Sequence, residues 1–451
     1  MVDSTEYAVR MDPEDFSTLT RDYLNQCNIA VRNHNGFAAS YIGDAFQALF
    51  GYPIAEEDDA ERALQLAFEL LRLVPEIEVP DAPPLRVRIG IASGVVVVGD
   101  YLAAPAGVST VAMGSIPNLA QRLQSIAEPQ TILTDQRTYD STAGAFEFTD
   151  LGPQTLKGFS NLVHVWRAEK PHILENRFAK RTQLTELVDR RTELTQILKL
   201  WREVVTENHG QAALICGEPG IGKSRLIFEA HQRMPRCTYL TLQCSTAYSN
   251  SALFPFLTLL KRYAGMHAED LADISLERLE ALLSFSNIPV SQSLPIFAKL
   301  LSISQTRYPS PNMTSAQQRM ISVRVIVDWL HHVSRINRVL LSIEDEQWID
   351  PSSSDVLEAL IGEVGSFPML ILITTREKRL RKPLKRSELR KITLERLSDD
   401  DAQLLVGNAV SGKTLPQGMR SSVLAKAEGV PLYVEELARA AFETSTSHSR
   451  S

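Results

Sequence analysis

The sequence predicts an α/β protein with more than one domain. Its 451 residues are enough for two or three domains that each have a core. Strand and helix patterns alternate along residues 1–168 and again along 187–394, which is typical of mixed α/β folds. A glycine-rich loop, GEPGIGKS at 217–224, stands between an apolar strand and a helix. From residue 395 to 445 the pattern is helical.

The composition narrows the broad class of protein. Hydrophobic residues make up 44% of the chain and charged residues 22%, as in ordinary globular proteins. The net charge of −7 gives no general attraction to nucleic acid or anionic lipid. No apolar run approaches the about 18 residues that span a bilayer, and no basic and then apolar leader begins the chain. Four cysteines without metal-type spacing indicate a reducing compartment. We expect a cytoplasmic protein with neither a membrane nor a nucleic-acid partner.

The first section, residues 1–168, alternates short strands with helices. Its predicted elements are strands at 37–42 and 45–50 joined by a turn at Gly43 and Asp44, a helix capped by Asp58 and Asp59, a strand pair at 86–91 and 95–98, and a helix opened by Pro117. A polar linker at 169–186 follows.

The rest of the chain divides into three further segments. Residues 187–394 are predicted as an α/β domain with strands at 212–216, 239–242, 339–343 and 369–374. Residues 395–445 are predicted as a helical lid, and residues 446–451 as a disordered polar tail.

The glycine-rich loop has the G-x-x-x-x-G-K-S spacing of a phosphate-binding loop. Gly217, Gly220 and Gly222 allow backbone N–H groups to turn inward around phosphate oxygens. Lys223 supplies a positive charge to the β- and γ-phosphates, and the Ser224 hydroxyl is a ligand for Mg²⁺ or Mn²⁺. The helix after the loop presents its N-terminus to anions. This pattern predicts a site for a nucleoside triphosphate, most simply ATP.

Two later strands end in charged residues that suit the same site. The strand at 339–343 ends in Glu344 and Asp345, which are placed to hold Mg²⁺ and to polarise an attacking water. The strand at 369–374 leads to Arg376, which is placed to sense the γ-phosphate. Alternatively, Arg376 only opens the basic run 376–390, which is either a solvated loop or a docking surface for an acidic partner.

Together these residues resemble the STAND class of AAA-related signalling ATPases. The matching motifs are VDRRTEL at 188–194, EDEQWIDPSS at 344–353 with Gln347 in place of the usual histidine, and GVP at 429–431. The resemblance implies that Lys223 and Ser224 bind phosphate and metal, and that Glu344 serves the metal. It also implies that Asp345 orients water, that Arg376 senses the γ-phosphate and that Pro431 lies near the adenine base. Members of this class resemble ligand-gated switches that ADP holds closed and ATP holds open.

Residues 1–168 resemble a class III nucleotidyl cyclase domain, which has a ferredoxin-like α+β fold and makes cyclic AMP or cyclic GMP. The matching motifs are VDST at 2–5, YIGDAFQALFGYP at 41–53, EDDAERAL at 57–64, RIGIASGVVVVG at 88–99, GSIPNLAQRLQ at 114–124 and LGPQTLKGF at 151–159. The resemblance implies a dimer in which two aspartates of one chain bind two metal ions. An asparagine and an arginine of the other chain orient the ribose and stabilise the transition state.

Carried over residue by residue, the cyclase motifs match in part. Asp44 matches the second metal aspartate, and Asn118 and Arg122 match the transition-state pair, one helical turn apart. Lys157 either approaches phosphate or is an exposed hairpin lysine. The positions that select the base hold Ser40 and Val111, which carry no charge.

The first metal aspartate of the family falls immediately before Met1. Either the start of the chain is assigned too late, or the domain is degenerate and serves dimerisation or regulation. As written, the chain is expected to be a weak or inactive cyclase.

Two functional hypotheses follow for the whole chain. In the first, a cyclase domain that makes cAMP from ATP is regulated by a STAND ATPase switch. In the second, an inactive cyclase-like domain only dimerises, and the ATPase recruits partners. Both imply ATP, a homodimer through the first section, and an unidentified protein or small-molecule signal. A DNA-binding regulator lacks support because no basic recognition helix is evident.

Overall fold

A computed structural model describes most of the chain in two compact units. The described residues are 1–56, 58–79, 82–100, 110–159, 161–171, 185–234, 237–245, 248–249, 251–266, 270–309, 312–376, 389–410 and 415–448. One unit combines Met1–Val188 with Arg396–Ser451, and the other is Asp189–Glu395. Most of the predicted linker and most of the basic run lie outside the described residues. Among the helices that are described, none has the length and apolar character needed to cross a bilayer.

The first unit begins with an α+β domain. Its elements are α1 (Ser4–Arg10), α2 (Pro13–Asn33), β1 (Phe37–Ile42), β2 (Ala45–Leu49), α3 (Asp59–Leu73), β3 (Arg88–Ile91), β4 (Val97–Asp100), β5 (Thr110–Met113), α4 (Ser115–Ile126), β6 (Thr131–Asp135), α5 (Gln136–Thr142), β7 (Phe146–Gln154) and β8 (Val163–Pro171). A four-stranded sheet has the order β3-β6-β8-β7, and β1–β2 and β4–β5 form antiparallel pairs. The predicted β1–β2 hairpin is confirmed.

The predicted pairing of strands 86–91 and 95–98 is wrong. β3 pairs in parallel with β6, and β4 pairs with β5 instead. The segment between β3 and β4 is not a tight turn, because Ser93 is anchored elsewhere. Its backbone N–H donates to Asp135 Oδ1 at 3.3 Å, and its hydroxyl pairs with Thr138 Oγ1 at 2.8 Å. The β3–α4–β6 connection is therefore a parallel crossover, which sets the position of α4.

The start of α3 is organised by a buried arginine rather than by the predicted aspartate cap. Asp58 occupies the N-cap position, but its carboxylate accepts from Arg62 Nε at 3.1 Å and makes no cap hydrogen bond. Arg62 is 4% exposed and also binds Glu56 Oε2 at 3.1 Å, the Asp59 carboxylate, and the His34 carbonyl at 3.0 Å. These contacts compensate for the cost of burying its charge.

The second unit is a parallel sheet with helices on both faces. Its elements are α6 (Arg191–Glu207), β9 (Gln211–Cys216), α7 (Lys223–Gln232), β10 (Thr238–Gln243), α8 (Phe254–Tyr263), α9 (Ala272–Leu283), α10 (Val290–Leu300), α11 (Ser315–Ile336), β11 (Val339–Glu344), α12 (Pro351–Gly362), β12 (Met369–Thr375) and β13 (Leu389–Thr393). The strand order is β10-β11-β12-β9-β13. In β9, Ala212 and Leu214 belong to one core cluster, and Ala213 and Ile215 to another. Both faces are buried, which explains the apolar runs of these strands.

The first unit also contains the three helices of the C-terminal region. They are α13 (Asp399–Ala409), α14 (Gln417–Ala427) and α15 (Pro431–His448). Leu405, Val423 and Val434 share their core cluster. Gly429, before α15, has φ 75°, and a Cβ there would lie 2.6 Å from the Leu397 carbonyl oxygen. The predicted tail begins too early, because α15 extends to residue 448; residues 449–451 lie outside the described part of the chain.

Candidate functional site

The predicted phosphate loop connects the end of β9 to the start of α7. Gly220 and Gly222 have φ values of 71° and 95°, which side chains other than glycine rarely adopt. At Gly217, a Cβ would lie 2.8 Å from Ile221 Cγ2 and 3.1 Å from the Leu394 carbonyl oxygen. The three glycines therefore allow the backbone to take a tight path that ends in a helix N-terminus, as a phosphate-binding loop requires.

Lys223 and Ser224 form the first turn of α7, and both are buried. Lys223 Nζ donates to the carbonyl oxygens of Gly217 and Glu218, at 3.0 and 2.9 Å. The ammonium group thus lies within the curve of the loop. The Ser224 hydroxyl donates to Glu344 Oε2 at 2.7 Å. The hydroxyl and the acid that the sequence assigns to the metal are therefore in direct contact.

The acids and Arg376 reach the loop because their strands are parallel. Glu344 ends β11 and Thr375 ends β12, the strand between β11 and β9. The Gly217 N–H donates to the Thr375 carbonyl oxygen at 3.3 Å. The carboxyl ends of β9, β11 and β12 therefore form one edge of the sheet, where ligands of such folds bind.

Asp345 follows β11 with a left-handed backbone, φ 57° and ψ 49°. Its N–H donates to Thr374 Oγ1 at 2.9 Å. Its carboxylate accepts from two amide side chains: Gln243 Nε2 contacts Oδ2 at 3.0 Å, and Gln347 Nε2 contacts Oδ1 at 3.1 Å. Neither glutamine was among the predicted site residues. Asp345 is thus oriented by three separate hydrogen bonds.

Arg376 is the first residue after β12. Its N–H donates to Gln347 Oε1 at 3.2 Å, and its guanidinium carbon lies 5.9 Å from the centre of the Trp348 ring. This distance is within the range of a cation–π contact. The structure brings Arg376 to the same strand edge as Asp345. Its role as a γ-phosphate sensor stays a prediction. Pro431 begins α15 in the other unit, and its role near adenine also stays a prediction.

The residues that resemble a cyclase site lie on the β1–β2 turn and on α4. Asp44 Oδ2 lies 3.0 Å from the Met1 amino group. Asn118 is exposed and its amide donates to the Gly114 carbonyl oxygen at 3.3 Å; Arg122 follows one turn later on α4. Lys157 is exposed.

Strand β3 supports the helix that carries Asn118 and Arg122. A Cβ at Gly90 would lie 2.2 Å from the Ala120 carbonyl oxygen and 2.3 Å from the Gln124 nitrogen. The backbone of α4 therefore rests directly on the backbone of β3, and the absence of a side chain at Gly90 is what permits this contact.

Comparison with known proteins identifies two domains in the chain. A family model described as adenylate and guanylate cyclase catalytic domain matches residues 1–170. A model described as AAA ATPase domain matches residues 186–373. The chain joins these two domains. The predicted order, a cyclase domain before a P-loop ATPase domain in an α/β protein, is confirmed.

Individual relatives cover different shares of the chain. An uncharacterized protein of Rhizobium meliloti (strain 1021) is 27% identical over 447 residues, 97% of this chain and 43% of that protein. Adenylate cyclase 1 of the same organism is 24% identical over 170 residues, 36% of this chain and 25% of that protein. The crystal structure of the adenylyl cyclase CyaB from P. aeruginosa shares 25% identity, covers 38% of this chain and 89% of that chain, and has a TM-score of 0.36. The chain spans less than half the length of these two curated relatives.

The AAA domain has the donors and acceptors that its expected ligands require. Cyclase and AAA domains generally use ATP and a divalent metal. In the AAA domain the Ser224 hydroxyl and the Glu344 carboxylate supply two buried oxygen ligands 2.7 Å apart, as a hard cation such as Mg²⁺ prefers. Lys223 and the loop N–H groups suit a triphosphate.

In the cyclase domain, the closely spaced acidic residues that the structure describes lie at the start of α3 and not at Asp44. Among the described residues, the only cluster of three possible metal ligands is Glu56, Asp58 and Asp59. Arg62 forms ion pairs with all three. This cluster is therefore an ion-pair network around the buried Arg62, and Asp44 is not part of it.

Proposed function

We propose that this protein is an ATP-dependent signalling switch in which a STAND-type AAA domain controls the cyclase domain. The observation that carries the proposal is the contact between Ser224 and Glu344 beside the buried Lys223. These groups, contributed by the end of strand β11 and the first turn of helix α7, form the phosphate and metal site of an ATPase. The match of residues 186–373 to the AAA family supports this assignment.

Each residue of the AAA site has a distinct task in this proposal. The loop N–H groups and Lys223 bind the β- and γ-phosphates. Ser224 and Glu344 hold Mg²⁺ or Mn²⁺, which neutralises charge on the transferred phosphoryl group. Asp345 accepts a hydrogen bond from the attacking water and orients it toward the γ-phosphate. Arg376 leaves Trp348 to contact the γ-phosphate when ATP is present.

A switch requires that ATP and ADP favour different states of the domain. A ligand that binds both states equally shifts nothing. The γ-phosphate supplies the difference here, because Arg376 and Asp345 can contact it in ATP but find no such group in ADP. ATP therefore favours the state in which Asp345 and Arg376 both contact the γ-phosphate.

The output in this proposal is cyclic AMP made from ATP by the cyclase domain. Asp44 binds a metal ion, and Asn118 and Arg122 of the partner subunit in a homodimer orient the ribose and stabilise negative charge. Adenylate cyclase 1 of Rhizobium meliloti is among the relatives of this region and supports the assignment. An unidentified protein or small molecule supplies the input signal.

A second candidate is a cyclase-like domain that dimerises without catalysis, with the AAA domain recruiting partners. The environment of Ser40 favours it. The Ser40 hydroxyl faces Gln47 Oε1 across the hairpin at 3.5 Å, and this side chain carries no charge with which to select a purine.

ATP binding by Lys223→Ala tests the AAA assignment. Calorimetric titration of the whole chain with Mg²⁺–ATP is expected to show at least about 30-fold weaker binding in this variant, because a buried charge partner of phosphate is removed. Lys199→Ala, an exposed lysine on α6, is the matched control and keeps the wild-type affinity. Unchanged affinity in Lys223→Ala would refute the assignment.

Formation of cyclic nucleotide separates the two candidates for the cyclase domain. The wild-type chain is incubated with ATP or GTP and Mn²⁺, and the products are separated by chromatography. Cyclic AMP that disappears in Asp44→Asn supports the first candidate. Homodimerisation without any cyclic product supports the second.

A further inference from the structure

Gln347 bridges the two segments that carry Asp345 and Arg376. It lies in the short 3₁₀ turn Glu346–Trp348 after β11 and is 6% exposed. Its Nε2 donates to Asp345 Oδ1 at 3.1 Å, and its Oε1 accepts from the Arg376 N–H at 3.2 Å. A carboxylate only accepts and a backbone N–H only donates, so the orientation of the amide is determined by its neighbours. One side chain therefore joins the ends of β11 and β12.

The other contacts of Asp345 show what this bridge adds. Thr374 holds its backbone N–H, and Gln243 binds Oδ2. Gln347 supplies the hydrogen bond to the second oxygen, and so fixes the rotation of the carboxylate. Each oxygen has two lone pairs, so each retains capacity to accept a hydrogen bond from a water molecule.

We infer that Gln347 is a positioning residue for ATP hydrolysis. It holds the Asp345 carboxylate in the orientation that directs water, and it ties that carboxylate to the backbone that carries Arg376. The inference rests on the proposed ATPase function. An uncharged amide suits this position because a donor and an acceptor are needed together, at every pH.

Substitutions at this position separate the two hydrogen bonds. Gln347→Met fills a similar volume and makes neither bond. Gln347→Glu keeps an acceptor for Arg376 but places a second carboxylate beside Asp345. Gln347→His makes both bonds only while the imidazole is neutral, because the protonated ring has two donors and no acceptor.

The experiment measures the kcat of ATP hydrolysis at saturating Mg²⁺–ATP, together with ATP affinity, for the whole chain. Gln347→Met and Gln347→Glu are expected to lower kcat about 10- to 100-fold while the Kd for ATP changes less than about 3-fold, because a misplaced group affects the chemical step. Gln292→Met, an exposed glutamine on α10, is the matched control.

The pH profile of Gln347→His provides the readout that a purely structural role would not alter. At pH 8 the variant is expected to have activity near that of the wild type. As the pH is lowered from 8, its activity is expected to fall with a midpoint at or above about pH 6.5, because the imidazole becomes protonated beside the Asp345 carboxylate. The profile of each protein is compared with its own value at pH 8, so the test remains valid if Gln347→Met is unstable.

Wild-type kcat in Gln347→Met, or a wild-type pH profile in Gln347→His, would overturn the role of Gln347 and leave the ATPase assignment intact. A wild-type chain that neither binds nor hydrolyses ATP would overturn the proposed function and this role with it.

Discussion

The Ser224 hydroxyl lies 2.7 Å from Glu344 Oε2, although 120 positions separate the two residues in the sequence. Ser224 is in the first turn of α7, and Glu344 is the last residue of β11. Both side chains are buried, at 7% and 4% exposure. Two oxygen atoms are therefore held together at the edge of the sheet, where the phosphate loop also ends.

Replacing the Ser224 hydroxyl or a Glu344 carboxylate oxygen is expected to weaken metal binding more than nucleotide binding. Ser224→Ala and Glu344→Gln should raise the Mg²⁺ concentration required for half-maximal ATP hydrolysis about 10- to 100-fold, the usual effect of perturbing a metal's ligand environment. Titration with Mg²⁺ at fixed ATP measures this. Ser284→Ala, an exposed serine at the end of α9, is the control. An unchanged Mg²⁺ requirement in both variants would contradict the metal assignment.

Gly90→Ala tests the support of the helix that carries Asn118 and Arg122. The new Cβ would lie within 2.3 Å of two backbone atoms of α4, so the helix must shift. We expect the free energy of unfolding to fall by about 1–3 kcal/mol, the usual cost of overpacking. Gly99→Ala is the control, since its Cβ would meet nothing within 4 Å. Denaturant unfolding measures both, and equal stability of the two variants would argue against direct backbone packing.

Arg62→Ala is expected to destabilise the cyclase domain strongly. The substitution leaves the carboxylates of Glu56, Asp58 and Asp59 close together without their shared partner. Loss of one side of a buried ion pair costs about 3–5 kcal/mol. Arg72→Ala on the same helix removes an exposed pair with Glu76 and should cost less than about 1 kcal/mol. Thermal unfolding compares the two; similar melting temperatures would count against the network.

The AAA domain is expected to lose stability in acid partly through His331. Burial lowers the pKa of this histidine below its ordinary 6.5, although Glu363 lies 3.7 Å away and acts in the opposite direction. The unfolded chain therefore binds a proton at a higher pH than the folded chain does. Its stabilising contribution is present above pH 6.5 and is lost as the pH falls below that value.

His331→Gln should reduce this acid sensitivity. Urea unfolding midpoints at pH 7.5 and pH 5.5 are expected to differ less in the variant than in the wild type. His332→Gln, which removes the neighbouring histidine of the same helix, provides the control. If the variant and the wild type lose the same stability between these pH values, burial of His331 does not contribute.

Much of the AAA domain could be predicted from the sequence because its central strands are buried on both faces. Leu370 and Ile371 pack into different core clusters, and such strands appear as uninterrupted apolar runs. The exception is β13, which was not predicted. It lies at the sheet edge, and only Ile392 of its five residues is buried, so no apolar run marks it.

The parts of the site that were missed depend on tertiary structure. Gln243 contacts Asp345 across 102 positions, and no local pattern marks a glutamine at a strand end as functional. For Gln347 the available signal was its place within the EDEQWIDPSS motif, where the class that the motif resembles has histidine. The prediction that strands 86–91 and 95–98 pair is wrong for a similar reason, because Ser93 is held by the distant Asp135 and not by residues near it in the sequence.

The two carbonyl contacts of Lys223 determine how strongly a ligand must attract its ammonium group in order to bind the loop. The ammonium group already has the oxygens of Gly217 and Glu218 as partners, at 3.0 and 2.9 Å. The interaction energy that a ligand gains from Lys223 is only the amount by which its attraction to the ammonium group exceeds that of these two carbonyl dipoles. A densely charged phosphate chain attracts the ammonium group more strongly than the two carbonyl dipoles do, and an uncharged nucleoside does not. In the proposed site, the loop therefore selects ligands by their charge before any contact with the base contributes.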